Sequence, residues 1–142
     1  MSIPLTEEQQ MVRAMVREFA RKEIEPIAAE NDSEGRFPAD IIKKMGELGL
    51  MGMMVPEKYG GAGASAISYA LAVQEIAYSC ASTAVTMSCN NLTCEPILNH
   101  GSELLKRKYM VSLASGRKLG AICITEPEMT GVLTVSLPLL SA

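Results

Sequence analysis

Gly61-Ala62-Gly63-Ala64-Ser65-Ala66 fits the G-x-G-x-x-A pattern by which a strand-to-helix turn wraps a dinucleotide pyrophosphate. That chemistry needs a buried strand ahead of the glycines and an acidic residue roughly 20 positions on, for the ribose hydroxyl. Here Pro56, Glu57 and Lys58 precede the glycines, and residues 81–86 hold no acid, so the segment reads as a flexible loop before a helix. Cys80, Cys89, Cys94 and Cys123 show no C-x-x-C spacing and have one histidine, His100, for company. A zinc site wants paired thiolates or imidazoles at short spacing, so no metal ligands are assigned and the thiols read as small core residues of a reducing compartment. His100 lies beside a helix-ending glycine and reads as a turn or capping residue. Ser79, Ser82, Ser88 and Ser112 lack the positioned base that an activated nucleophile needs. Lys106-Arg107-Lys108 with Arg117-Lys118 reads as a solvated helix face. Residue types alone therefore nominate no catalytic residue.

The elements that would carry these residues are mostly helices. Thr6-Glu7-Glu8-Gln9 is a capping-box pattern, and Val12, Met15, Val16, Phe19 and Ala20 follow at helical spacing. Pro26 is expected to kink or weaken this helix before Asn31-Asp32-Ser33-Glu34-Gly35 ends it. A second helix from Pro38 places Ile41, Ile42, Met45 and Leu48 on one face, with Gly49 at a left-handed C-cap. The connector 51–63 is glycine-rich but too apolar for a free linker, so it is expected to pack onto the domain. A third helix covers Ser65 to Ser79 and a fourth runs from about Ser82 to Leu98, both rich in Ala, Ser, Thr and Cys. Ser102 caps a fifth, Gly116 ends it, and Leu105, Tyr109 and Leu113 line its expected buried side. The run Leu119–Thr125 changes period and reads as a short strand. The fold class is accordingly all-α, a helical bundle with a short β-strand near the C-terminus.

Composition narrows the function classes. The chain has 142 residues, enough for one domain that buries roughly two thirds of its unfolded surface. A net charge of -3 argues against a nucleic-acid partner, and no apolar run approaches the ~20 residues of a membrane span. Ten methionines and no tryptophan suggest an aliphatic core filled in by methionine. The N-terminus has neither a basic nor an apolar leader region, which reads as cytoplasmic, or as mitochondrial matrix with a presequence removed. Residues 131–142 carry no charge, and Val132, Leu133, Val135, Leu137, Leu139 and Leu140 there need another surface to receive them.

Ordered along the chain, several pieces form one pattern. Leu5-Thr6-Glu7-Glu8-Gln9 opens it and Arg36-Phe37-Pro38 starts the second helix. Gly49-Leu50-Met51-Gly52 leads into Val55-Pro56-Glu57-Lys58-Tyr59-Gly60-Gly61-Ala62-Gly63. His100-Gly101-Ser102-Glu103, Lys108-Tyr109, Ala114-Ser115-Gly116 and Ile124-Thr125-Glu126-Pro127 complete the series. Over residues 3–128 this resembles the N-terminal helical domain of the FAD-dependent acyl-CoA dehydrogenases. Cys80-Ala81-Ser82-Thr83-Ala84 with Met87-Ser88-Cys89-Asn90-Asn91 is most similar to the short-chain, butyryl-CoA branch.

The resemblance implies α,β-desaturation of acyl-CoA thioesters, with FAD lying between this domain, a β-domain and a C-terminal bundle. It implies a homo-oligomer, usually a tetramer, that hands electrons to electron-transfer flavoprotein. It places Ile122, Ile124 and Thr125 beside the flavin ring, and Val85, Ser88, Cys89 and Leu92 along the acyl-chain cavity. It divides the chain into a helical domain at 1–118, the start of the β-domain at 119–128 and a divergent apolar tail at 129–142. After Thr125-Glu126-Pro127 the family continues into an A-G-S-D-like turn, where this chain has Glu128-Met129-Thr130-Gly131-Val132. The family's glutamate base lies in its later domains, so the chain alone is expected to be a truncated, inactive piece that holds FAD weakly or not at all. The alternative is a non-catalytic helical module that self-associates through its apolar tail.

Overall fold

The computed structural model describes residues 4–123. Six α-helices account for most of them: α1 Glu7–Phe19, α2 Glu25–Glu34, α3 Ala39–Glu47, α4 Ala66–Ser79, α5 Ala81–His100 and α6 Glu103–Ala114. The all-helical expectation holds. No strand forms among the described residues: residues 119–123 of the expected strand are irregular, and 124 and 125 lie outside the described residues. A strand needs a neighbour to satisfy its backbone, and none of the described elements offers a sheet edge.

The helix starts follow from side-chain chemistry. Thr6 accepts from the Gln9 amide while Gln9 accepts from the Thr6 amide, so the capping box forms as expected. Ser65 and Ser102 cap α4 and α6 by accepting from the amides of Ser68 and Leu105. Gly35 and Gly49 end their helices with left-handed φ of 61° and 75°. Pro26 acts through a local change of pitch: Ala20–Ile24 form a π turn between α1 and α2, and Pro26 sits in the first turn of α2. The proline has no N–H for the Lys22 carbonyl, and a widened turn absorbs the mismatch without breaking the helix.

Helix α1 packs on α4, α4 on α5 and α5 on α6, while the segment 50–52 fills the space against α3, α5 and α6. The main core joins Val16, Ala20, Ile24, Ile41, Ile42, Met45, Leu50, Met51, Ile76 and Met87. A second cluster gathers Val55, Tyr59, Cys94, Met110, Leu113 and Ala114. The 51–63 connector is packed as expected, with Met51, Gly52, Met53, Val55 and Tyr59 buried. Among the expected core residues, Leu48, Leu105, Cys89 and Cys123 are exposed, and of the four thiols only Cys94 is buried. Leu48 is exposed because it forms the C-cap of α3, where the chain leaves the helical stripe, and Leu50 takes its place in the core. Leu105 is exposed because α6 meets the core through its C-terminal half, at Met110, Leu113 and Ala114.

The G-x-G-x-x-A segment is a loop, as its charged prelude suggests. A Cβ on Gly61 would collide with the Val55 carbonyl, so the glycine serves close backbone packing and no strand stands ahead of it among the described residues.

Candidate functional site

Helix α5 is the organising element, and its two faces differ sharply. One face carries Thr83, Ala84, Met87, Asn90, Asn91 and Cys94, all buried. The opposite stripe carries Val85, Ser88, Cys89 and Leu92, at the i, i+3, i+4, i+7 spacing of a single helix face. Val85 is 60% exposed and Leu92 48%, while Cys89 is exposed and Ser88 half-buried. The four residues assigned to an acyl-chain cavity are thus brought onto one continuous, largely apolar and uncharged surface. Small side chains at 88 and 89 make it shallow enough to admit a ligand or another protein surface.

Polar groups on the buried face hold α5 in register. Asn91 accepts from the Met53 amide at 2.9 Å and donates to the carbonyls of Leu50 at 2.9 Å and Met87 at 3.0 Å. Asn90 donates to the carbonyls of Met51 at 2.7 Å and Leu113 at 3.0 Å, and accepts from the Gly120 amide at 2.8 Å. Both carboxamides face carbonyls with nitrogen and an N–H with oxygen, the one orientation that satisfies every partner. No buried side-chain nitrogen or oxygen among the described residues lacks a hydrogen bond. Sequence reasoning quoted these two asparagines without giving them a task, because an amide on a helix gives no periodic signal. The only available hint was two adjacent polar residues inside a run otherwise built of small and apolar ones.

Gly120 brings the second candidate group near this face. A Cβ there would come within 2.6 Å of the Thr93 side chain, so the chain passes against α5 at a distance only glycine allows. Ile122 follows two residues later and is half-buried. The backbone amides of Ala121, Ile122 and Cys123 donate to no acceptor among the described residues. Backbone amides beside an apolar side chain are the kind of donor set that would suit the polar edge of a flat heteroaromatic ring. Ile124 and Thr125, the other two residues assigned to the cofactor, lie outside the described residues.

A cleft of about 570 Å³ opens where the π turn and α2 meet the start of α3 and the N-terminal turn of α5. Ile24, Ile27, Phe37, Ile41, Thr83 and Thr86 are among its lining residues, while Val85, Ser88, Cys89 and Leu92 are not. Sequence patterning gave no sign of it, since its walls come from three separated segments.

The remaining chemistry-bearing residues have structural employment. Glu75 is the one buried carboxylate among the described residues. It accepts from Arg13 Nε at 2.7 Å and from Arg17 Nε and Nη2, both at 2.8 Å, clamping α4 to α1. The Arg17 hydrogen bond leads the causes that hold its pKa down to about 2, with Arg13 adding to it and burial opposing. Burial pushes the Cys94 thiol up to about 11. In the basic cluster, Arg107 pairs with Glu103 at 3.2 Å and the Lys108 ammonium lies 5.2 Å from the Tyr109 ring centre, as on a solvated face. His100 is the exposed last residue of α5. Among the described residues no three His, Cys, Asp or Glu side chains gather as a metal-binding group.

Comparison with known proteins converges on one family. A family profile described as "Acyl-CoA dehydrogenase, N-terminal domain" matches residues 6–117. The chain is 48% identical over 129 residues to the short-chain specific acyl-CoA dehydrogenase of Clostridium acetobutylicum, covering 90% of this chain and 34% of that protein. It is 49% identical over 127 residues to the mitochondrial short-chain specific acyl-CoA dehydrogenase of Bos taurus, covering 89% and 31%. Its fold superposes on butyryl-CoA dehydrogenase from Megasphaera elsdenii with a TM-score of 0.82 at 37% identity, covering 89% of this chain and 34% of that one. The chain therefore spans about a third of the length of the curated relatives it matches. The chain belongs to the acyl-CoA dehydrogenase family, of which it carries the N-terminal domain.

Proposed function

We propose that this chain supplies the acyl-chain wall and part of the flavin contact of an enzyme that desaturates short-chain acyl-CoA thioesters between the α and β carbons. The observation that carries the reading is the junction at α5: the Val85-Ser88-Cys89-Leu92 stripe lies on the helix against which Gly120 passes on its way to Ile122. Val85 and Leu92 contribute apolar contact for a short acyl chain, and Ser88 and Cys89 leave room for it. Ile122, followed by Ile124 and Thr125, offers backbone amides and a hydroxyl to the polar edge of the flavin. FAD, when bound, accepts the hydride that leaves the β-carbon. Donors at its polar edge favour the negative charge that builds up on reduction. The reduced enzyme would pass its electrons to an electron-transfer flavoprotein, and the working form would be a homo-oligomer.

The 142-residue chain alone is expected to be inactive. Abstraction of an α-proton needs a carboxylate poised to accept it, and Glu75, held near 2 by two arginines, is neither basic nor accessible. Grafting residues 4–123 onto the remaining two thirds of the Clostridium acetobutylicum relative tests the positive half. The chimera is expected to reduce a dye acceptor with butyryl-CoA, and a folded, flavin-loaded chimera without turnover would overturn the assignment. Turnover by the purified 142-residue chain would overturn its predicted inactivity.

A further inference from the structure

We infer that Asn90 is a positioning residue that fixes where the chain leaves the helical domain, and through that the placement of the flavin-contacting segment. This inference deepens the cofactor part of the proposed function and rests on it for the word flavin, while its geometric half stands alone. Three separate backbone segments meet at one fully buried carboxamide. Its nitrogen holds the Met51 carbonyl from the packed connector and the Leu113 carbonyl from the last turn of α6, and its oxygen receives the Gly120 amide. Asn90 is 0% exposed and its bonds to Met51 and Leu113 are buried, while the bond from Gly120 is part-buried.

The neighbouring residue shows what is particular to Asn90. Asn91 uses the same three atoms on Leu50, Met53 and Met87, all within the connector and α5 itself, so it fastens the core and touches nothing beyond it. Asn90 alone reaches forward to Gly120. Between Ser115 and Gly120 the backbone is otherwise held by the Gly116 amide on the Leu113 carbonyl and the Lys118 amide on the Ser112 carbonyl, both at 3.0 Å. Gly120 is then seated from two sides, by the Asn90 oxygen on its amide and by the Thr93 side chain where a Cβ would lie. Ile122 is only two residues further on, a reach of roughly 7 Å even for extended chain. A shift at Gly120 therefore carries Ile122 with it.

The test uses the 142-residue chain and site-resolved amide exchange with backbone chemical shifts. In the unsubstituted chain the Gly120 amide is expected to be protected. Asn90→Ala should lower that protection at least about tenfold and move the shifts of 119–123. Asn91→Ala should perturb 50–53 and leave 119–123 in place. Gly120→Ala, which lies outside the helical core, should displace 119–123 through its clash with Thr93 while α1 and α4 keep their protection. An unprotected Gly120 amide in the unsubstituted chain, or equal effects of Asn90→Ala and Asn91→Ala on 119–123, would overturn the inference. Titration of FAD by quenching of its fluorescence separates the two layers. Binding weakened at least about fivefold by Asn90→Ala and Gly120→Ala supports the cofactor half. The titration is run on the flavin-free chimera, since the 142-residue chain is expected to hold FAD weakly or not at all. Unchanged FAD affinity in both variants overturns the cofactor half, while the exchange data still decide the role of Asn90.

Discussion

The two faces of α5 share one helix and nearly one composition, yet they have opposite assignments. The buried face mixes Met87 and Cys94 with two amides and a threonine hydroxyl, and both amides have their donors and acceptor engaged. The exposed face carries apolar Val85 and Leu92, each about half exposed or more. On hydrophobicity alone the faces would be assigned the other way round. A polar side chain can face inward when backbone groups of a neighbouring segment need a partner there, and an apolar one can face outward when its partner is a ligand or another surface. Breaking each face separately shows whether this division holds.

The largest contrast is expected between two thiols on the one helix. Cys94 is buried with its pKa raised to about 11, and Cys89 is exposed on the opposite face. At neutral pH an alkylating reagent should modify Cys89 at least about a thousandfold faster than Cys94, a difference of about 4 kcal/mol in barrier terms. Mass spectrometry of a timed labelling series reads the ratio. Comparable rates would mean that the inward face opens readily and that the two faces are not distinct.

Truncating the inward face comes next. Met87 is 0% exposed in the main core, so Met87→Ala should cost about 3 kcal/mol in urea unfolding through lost packing and a cavity. A cost below about 1 kcal/mol would show that the amides, and not apolar burial, seat this face.

How much of this division could be read from the residues alone depends on what each residue does. The caps at Thr6 and Ser102 were legible because each acts on an amide three residues on, and such contacts leave a local signature. The core stripe of α3 was legible at Ile41, Ile42 and Met45 because burial there follows the helical period. Leu48 and Leu105 were misplaced because periodicity continues past the point where the chain turns away or the neighbour ends. Asn90, Asn91 and Glu75 were illegible because, apart from Met87 four residues from Asn91, their partners lie 23 to 62 residues away in sequence. Val85, Ser88, Cys89 and Leu92 were named through family resemblance, and the fold brings them onto one face without itself deciding what they touch.

The same question can be put to α4, whose inward polar residue is charged. Glu75 has its pKa lowered from 4.5 to about 2 by Arg17 and Arg13, so it binds fewer protons in the folded state than in the unfolded one. Its stabilisation is present above the unfolded value near 4.5 and is lost as pH falls from there toward 2. The two arginines are part-exposed, and solvent screening leaves an expected loss of about 2 kcal/mol across that window. Urea midpoints measured from pH 6 to pH 3 should fall, and in Glu75→Gln that part of the fall should be missing. An unchanged pH slope in the variant would mean the clamp contributes no more than a surface pair.

The smallest expected effect is on the outward face, and there smallness is the informative result. Val85→Ala and Leu92→Ala remove apolar groups that are largely exposed, so each should change stability by no more than about 0.5 kcal/mol. In the chimera with the Clostridium acetobutylicum relative, the same two substitutions should raise KM for butyryl-CoA severalfold and leave the unfolding midpoint in place. A residue that serves packing shows the reverse pattern, with stability lost and substrate preference unmoved. Loss of more than about 1 kcal/mol from the 142-residue chain itself would mean that this stripe is already covered by part of the chain or by a second copy. In that case the outward face of α5 would be a core face like the inward one.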